Sequence, residues 1–176
     1  MLKKNTIQII SPARLHFGFL EINNNQSDNL LGGIGLSIDK FHTKITMKKN
    51  AKITVKSKSL NKASLFLNTF CRKKKIKPNF FLNIEKSSPQ HIGLGSGTQL
   101  ALSIGRAVSD LSNLNLNTKK IAQILNRSYR SNVGLMNFEH GGFLIDLKIK
   151  NKFFTGIDKV FFPVDWKIIL IKDSKQ

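Results

Sequence analysis

A single cysteine, Cys71, leaves no partner for a disulfide within the chain and no thiolate set for a cysteine-built metal centre, which favours a reducing compartment. In the run FLNTFC it falls on a helical pattern, where a small buried thiol is expected. Acidic residues are also scarce: ten stand against 29 basic ones, a formal net charge of +19. That excess points first to nucleic acid. Yet the basic residues are 24 lysines and 5 arginines, scattered except for RKKK at 72–75, and no aromatic-rich basic motif accompanies them. Lysine comes here with many Asn, Ile and Phe, all with A/T-rich codons, so base composition alone accounts for the charge. Nucleic acid is therefore not expected as the main partner. No apolar run approaches the roughly 18 residues that a membrane span needs. MLKKNTIQIISPARLHF lacks the sustained apolar segment and cleavage site of a signal peptide, so the expected setting is cytoplasmic, with no membrane partner.

What is present is a globular composition. Hydrophobic residues make up 40% and charged residues 22% of 176, enough for one domain with a real core. NTIQIIS and LHFGFLEI read as two strands around an S-P-A-R turn at 11–14, and LGGIGLSID returns as a strand after the polar loop NNNQSDN. FHTKITMKK and AKITVKS alternate apolar and polar positions and predict a hairpin about Lys49 and Asn50. Ala63, Phe66, Leu67 and Phe70 follow helical spacing, and NFFLNIEK is a strand again. Leu100, Ile104, Ala107, Val108 and Leu111 mark one helix face. Asn117 or Thr118 caps a further helix with Ile121, Ile124 and Leu125 inward, and GGFLIDLKI and WKIILIKD close the chain as strands. Strands interspersed with helices give an α+β fold, a mixed sheet packed on helices.

The stretch with chemistry in it is SPQHIGLGSGTQLAL, 88–102, where a glycine-rich loop runs straight into a helix. A helix N-terminus carries unpaired N–H groups and partial positive charge. Glycines let a phosphate approach the backbone, and Ser96 and Thr98 add hydroxyls for phosphate oxygens or a Mg²⁺ shell. The loop has no lysine after its glycines, so it is not a P-loop; GLGSGT lacks the last glycine of the dinucleotide fingerprint; and Leu94 and Thr98 flank Ser96, which excludes a nucleophile elbow. A turn that merely caps the helix is the remaining alternative.

P-x-x-x-G-L-G-S-G at 89–97 resembles the phosphate-binding motif of the GHMP kinase superfamily, whose N-terminal domain has the ribosomal-protein-S5 domain-2-like α+β fold. SPARLHFGFLEI, GGIGLSID, HIGLGSGTQLALSIGRA and RSNVGLMNFEHGGFLID look, within it, like the β-ribofuranosylaminobenzene 5'-phosphate synthase family. Many kinases of the superfamily carry S-G-x-D before a G-G pair, the Asp being the catalytic base. Laying Ser131 and Gly141-Gly142 on that pattern puts Gly134 where the Asp would be, and glycine cannot take a proton.

The resemblance implies a transferase of tetrahydromethanopterin-type cofactor biosynthesis. It would condense phosphoribosyl pyrophosphate with 4-aminobenzoate or a hydroxybenzoate, with loss of CO₂ and pyrophosphate. Gly93, Leu94, Gly95, Ser96, Gly97 and Thr98 would then hold the pyrophosphate, with Mg²⁺ at Ser96 and with His91 and Arg130 as further contacts. Arg14 would supply a planar fork for a carboxylate or phosphate, and His16 a second donor or proton carrier. The partners implied are a phosphorylated sugar and an aromatic acid. Residues 1–176 read as one GHMP-type N-terminal domain without the family's C-terminal domain, which implies a gene fragment, one part of a split enzyme or a degenerate remnant. The partner to look for is then a separately encoded C-terminal half, or a second copy of the chain in a homo-oligomer. The alternatives are a small-molecule kinase of the superfamily binding ATP, and a non-catalytic S5-like basic module binding RNA.

Overall fold

The computed structural model describes residues 5–22, 30–56, 60–89, 92–129, 131–149 and 156–171. Its elements are β1 (Thr6–Ile22), β2 (Leu30–Lys49), β3 (Thr54–Lys56), α1 (Leu60–Lys73), β4 (Phe80–Lys86), α2 (Ser96–Leu111), α3 (Thr118–Ile124), α4 (Val133–His140), β5 (Phe143–Ile149) and β6 (Gly156–Val160). The architecture is the expected α+β arrangement of a mixed sheet against helices.

Two long antiparallel strands organise the sheet. β1 pairs with β2 from Thr6↔Lys48 to Ile22↔Leu30. The other edge of β2 is shared, with β4 taking its far end around Met47↔Leu82 and β5 its near end around Ile34↔Ile145. The order is β3-β4-β2-β5-β6, with β1 beside β2.

The single strand β1 corrects the expectation of two strands about a turn at 11–14. The irregularities expected of S-P-A-R are absorbed as register shifts at Ser11/Ala13 and His16/Gly18. Pro12 falls in the first shift, where the ladder needs no N–H from it. β2 likewise runs on through Phe41, whose φ is 62°, rather than breaking into two strands. The hairpin about Lys49 and Asn50 does not form. β3 pairs with β4 in parallel, and β4 lies between it and β2. The Asn50 N–H donates to the Asn79 carbonyl at 2.9 Å and its side-chain amide to the Lys52 carbonyl, so the chain steps past β4 instead of folding back on β2. Of the strand expected over 166–173, residues 166–171 are not in the sheet, Trp166 being 67% and Ile171 95% exposed, and 172–173 lie outside the described residues.

The core lies between the sheet and the helices. Ile45, Met47 and Leu82 meet Phe66, Leu67 and Phe70 of α1 and Leu100, Ile104 and Val108 of α2, as the helical spacing predicts. Asn117 caps α3, its side-chain oxygen accepting from the Lys120 N–H at 2.9 Å. Cys71 is buried among apolar neighbours, which pushes its thiol up to about 11.

Candidate anion-binding site

Leu94 is what seats the glycine-rich loop. Its side chain is buried with Ala13 and Ile38, and its carbonyl accepts from the Arg14 N–H at 3.2 Å. Leu94 therefore anchors the loop, and only its backbone can face a ligand. Gly95 follows as the N-cap of α2 in the left-handed conformation, φ 69°. That geometry favours glycine, and so does the space: a β-carbon here would stand 3.0 Å from Arg14 Cγ and 3.2 Å from Nε. Gly95 thus makes room for Arg14, whereas a β-carbon on Gly93 or Gly97 meets nothing within 4 Å. Ser96, Gly97 and Thr98 form the first turn, and the Thr98 and Gln99 N–H groups both close on the Gly95 carbonyl at 3.1 Å. The Ser96 and Gly97 N–H groups bond to no described residue, as a helix start leaves them.

A second helix start arrives from α4, an element that the sequence pattern does not predict. Buried Gln99 donates from Nε2 to the Gly134 carbonyl at 2.8 Å, tying the first turns of α2 and α4 together. Buried Asp146 of β5 accepts from the Asn132 N–H at 2.5 Å and from its side-chain amide at 3.1 Å, fixing the cap of α4 from behind. Ser131 Oγ accepts from the Val133 N–H at 3.2 Å. A β-carbon on Gly134 would stand 3.0 Å from Thr98 Cγ2 and 3.5 Å from Arg14 Nε.

Arg14 thus lies between two helix N-termini. Its Nε and Nη1 are buried with no hydrogen-bond partner, and burial lowers its pKa from the ordinary value. No ion pair to Arg14 exists among the described residues. Asp146 is committed to Asn132, and Glu139 sits 3.8 Å from His140. Buried N–H donors of a cation left without a partner are unfavourable, and two helix dipoles with their positive ends here add to the demand for an anion. His16 follows two residues along β1. Its Nδ1 meets the Ile34 carbonyl at 3.2 Å, its ring packs edge-on against Phe19 at 4.5 Å, and its Nε2 is buried without a partner.

Of the expected site residues, the structure sets Arg14 against Leu94 and Gly95 of the loop, while His16 stands two residues along β1 and meets Ile34 and Phe19 rather than the loop. His91 and Arg130 lie outside the described residues. Gln99, Asn132 and Asp146 were missed. The signal for Gln99 was a polar residue one position from Leu100 in an apolar helix face; Asn132 and Asp146 stand out individually, but no local pattern pairs residues 14 positions apart. Among the described residues no three His, Cys, Asp or Glu side chains converge as a metal site. A groove of about 580 Å³ lies elsewhere, lined mainly by Leu36, Ile38, Phe41, Phe162, Trp166 and Leu170, an apolar set without a buried cation.

The profile of the GHMP kinases N terminal domain matches residues 58–139, which contain the loop, α2 and most of α4. The chain is similar to the beta-ribofuranosylphenol 5'-phosphate synthase of Archaeoglobus fulgidus, 30% identical over 96% of this chain and 58% of that protein. It is 33% identical to the enzyme of the same name from Methanocaldococcus jannaschii, over 78% of this chain and 46% of that one. The chain thus spans about half the length of the curated relatives it matches. Among solved structures, a putative sugar kinase from Campylobacter jejuni superposes with a TM-score of 0.64 at 16% identity, over 89% of this chain and 59% of that one. A 4-(cytidine 5'-diphospho)-2C-methyl-D-erythritol kinase gives 0.62 at 14% identity, over 89% and 56%. At such identities these two likenesses concern the fold alone.

Proposed function

Since the chain belongs to the GHMP kinase superfamily, in the branch of the ribofuranosyl 5'-phosphate synthases, we propose that it is the phosphate-binding half of a phosphoribosyl-type transferase. The observation that carries this reading is the half-buried Arg14, its Nε and Nη1 buried without partners, held between the first turns of α2 and α4. The donor is phosphoribosyl pyrophosphate, and the acceptor is a hydroxybenzoate or 4-aminobenzoate that loses its carboxylate as CO₂. The product enters a tetrahydromethanopterin-type cofactor.

In this reaction the charge to be stabilised is that of the departing pyrophosphate. Fixed N–H donors and a guanidinium suit that task because they need no reorganisation as the C1–O bond breaks. The Ser96 and Gly97 N–H groups and the Ser96 and Thr98 hydroxyls would hold its phosphate oxygens, with Arg14 neutralising charge from the other side. Mg²⁺ would be held mostly by pyrophosphate oxygens, with Ser96 as a hydroxyl ligand, since the described residues bring no carboxylate cluster to the loop. The second wall of the cleft would come from a region matching the part of the relatives' length that this stretch does not span.

The kinase alternative shares the fold but lacks its base. A carboxylate at 134 would lie on Arg14; glycine there leaves the cation for substrate and removes the proton acceptor. Calorimetry decides between the readings. Pyrophosphate and phosphoribosyl pyrophosphate should bind the chain more tightly than ATP does. Tight ATP binding with phosphate transfer to a hydroxyl, and no response to phosphoribosyl pyrophosphate, would overturn the transferase reading.

A further inference from the structure

His16 has one nitrogen explained and one not. A backbone carbonyl only accepts, so the contact from Nδ1 to the Ile34 oxygen at 3.2 Å puts the hydrogen of the neutral ring on Nδ1. Nε2 is left as a lone-pair acceptor, buried and without a protein donor. Burial first, and then the charge of neighbouring Arg14, hold the imidazole below its ordinary pKa, against an opposing pull from the Ile34 carbonyl. Phe19 packs across the ring at 82° and fixes its plane.

The position of the ring matters as much as its tautomer. β1 passes Ser11, whose hydroxyl is 3.1 Å from that of Ser103 in mid-α2, then Arg14 at the helix start, then His16 beyond it. His16 and Arg14 are two strand residues apart and point to the same face, about 6.6–6.8 Å along the strand. A β-carbon on Gly33 would stand 3.1 Å from His16 Cε1 and 2.8 Å from Ser131 Oγ, so the imidazole and that hydroxyl border one notch that only glycine leaves open.

We infer that His16 Nε2 accepts the proton of the ring hydroxyl of the aromatic co-substrate, a 4-hydroxybenzoate, and thereby makes the carbon para to it nucleophilic. This rests on the transferase reading. The proton moves from the phenol oxygen to Nε2, and the oxygen's electrons push through the ring to the carbon bearing the carboxylate. That carbon bonds to ribose C1 as the C1–O bond breaks, and pyrophosphate leaves with the bonding pair. The bond to the carboxylate then breaks, CO₂ departs, its electron pair restores the aromatic ring, and the phenolate oxygen recovers its proton from His16.

The test compares 4-hydroxybenzoate with 4-methoxybenzoate, which has no proton to give, binding to the 176-residue chain in the presence of pyrophosphate. The hydroxy acid should bind about tenfold more tightly, the size of one hydrogen bond, and His16→Phe should bring the ratio near one. In ¹⁵N-histidine NMR of the wild-type chain, which does not depend on that variant folding, Nε2 should be unprotonated when free. It should shift toward the protonated position with the hydroxy acid alone. Equal affinities for the two acids, a protonated Nε2 in the free chain, or a chain that binds pyrophosphate but neither acid would each overturn the assignment to His16 while leaving the transferase reading in place. Failure to bind pyrophosphate and phosphoribosyl pyrophosphate at all would remove both.

Discussion

Arg14 and Gly134 form the central contact of the site: a β-carbon at 134 would stand 3.5 Å from the Arg14 Nε. One residue is a half-buried cation with no ion pair among the described residues, and the other is the glycine that the resemblance lays on the catalytic carboxylate of many of the superfamily's kinases. Because the residue at 134 has no side chain, the charge of Arg14 is left for a ligand.

Gly134→Asp should therefore pair with Arg14 and displace the ligand anion. Losing a charge-assisted bond and adding a like charge should weaken pyrophosphate binding by at least about tenfold. The new β-carbon meets Thr98 Cγ2 at 3.0 Å, a methyl that can give by a few tenths of an ångström. Folding should survive, and denaturant unfolding beside calorimetry separates the two effects.

Gly97 and Gly95 should behave oppositely. Gly97→Ala meets open space and adds helix propensity, so stability should hold or rise by up to about 1 kcal/mol while pyrophosphate affinity falls. Gly95→Ala forces a side chain to φ 69° and into Arg14, and should destabilise by about 1–2 kcal/mol or more. Urea titrations of both variants check the stability half. If Gly97→Ala binds pyrophosphate as well as the wild type does, the first turn of α2 is not the cradle.

Asp146→Ala should destabilise the chain by about 3 kcal/mol, because the Asn132 N–H and amide are left buried without an acceptor. The damage should concentrate at the start of α4 and appear as lost amide protection at 133–135 in hydrogen exchange.

His16 makes stability depend on pH. Its folded-state pKa is depressed, so the unfolded chain takes up a proton more readily. Stability is then full above about 6.5, the unfolded value, and falls as pH drops from there through the lower folded value. Replacing His16 with Phe should flatten that part of the profile of unfolding free energy against pH.

Cys71, with its thiol raised to about 11 and buried, should resist alkylation at pH 8 in the folded chain and react once the chain is unfolded in denaturant. Mass spectrometry before and after adding urea reads this directly.

The sequence by itself determined the core helices and the loop. Ala63 to Phe70 and Leu100 to Leu111 repeat with helical spacing because one face of each must be buried, and that requirement is local enough to be written in the spacing. The glycines before α2 and the Asn117 cap are equally local, since a left-handed φ and an unpaired N–H are needs of the residue itself. The tertiary structure alone decided which strands pair. Alternation along 41–56 is satisfied by any neighbour that buries the same face, so nothing local distinguished a hairpin from the insertion of β4 between β2 and β3. Residues 166–171 show the same limit from the other side: an apolar run has strand character, but a strand needs a partner, and among the described residues it has none. The site divides along this line too. The loop could be singled out from its residue types and Arg14 from the resemblance, but the placing of Gly134 against Arg14 depends on Gln99 and Asp146 holding the start of α4, and those contacts join residues that only folding brings together.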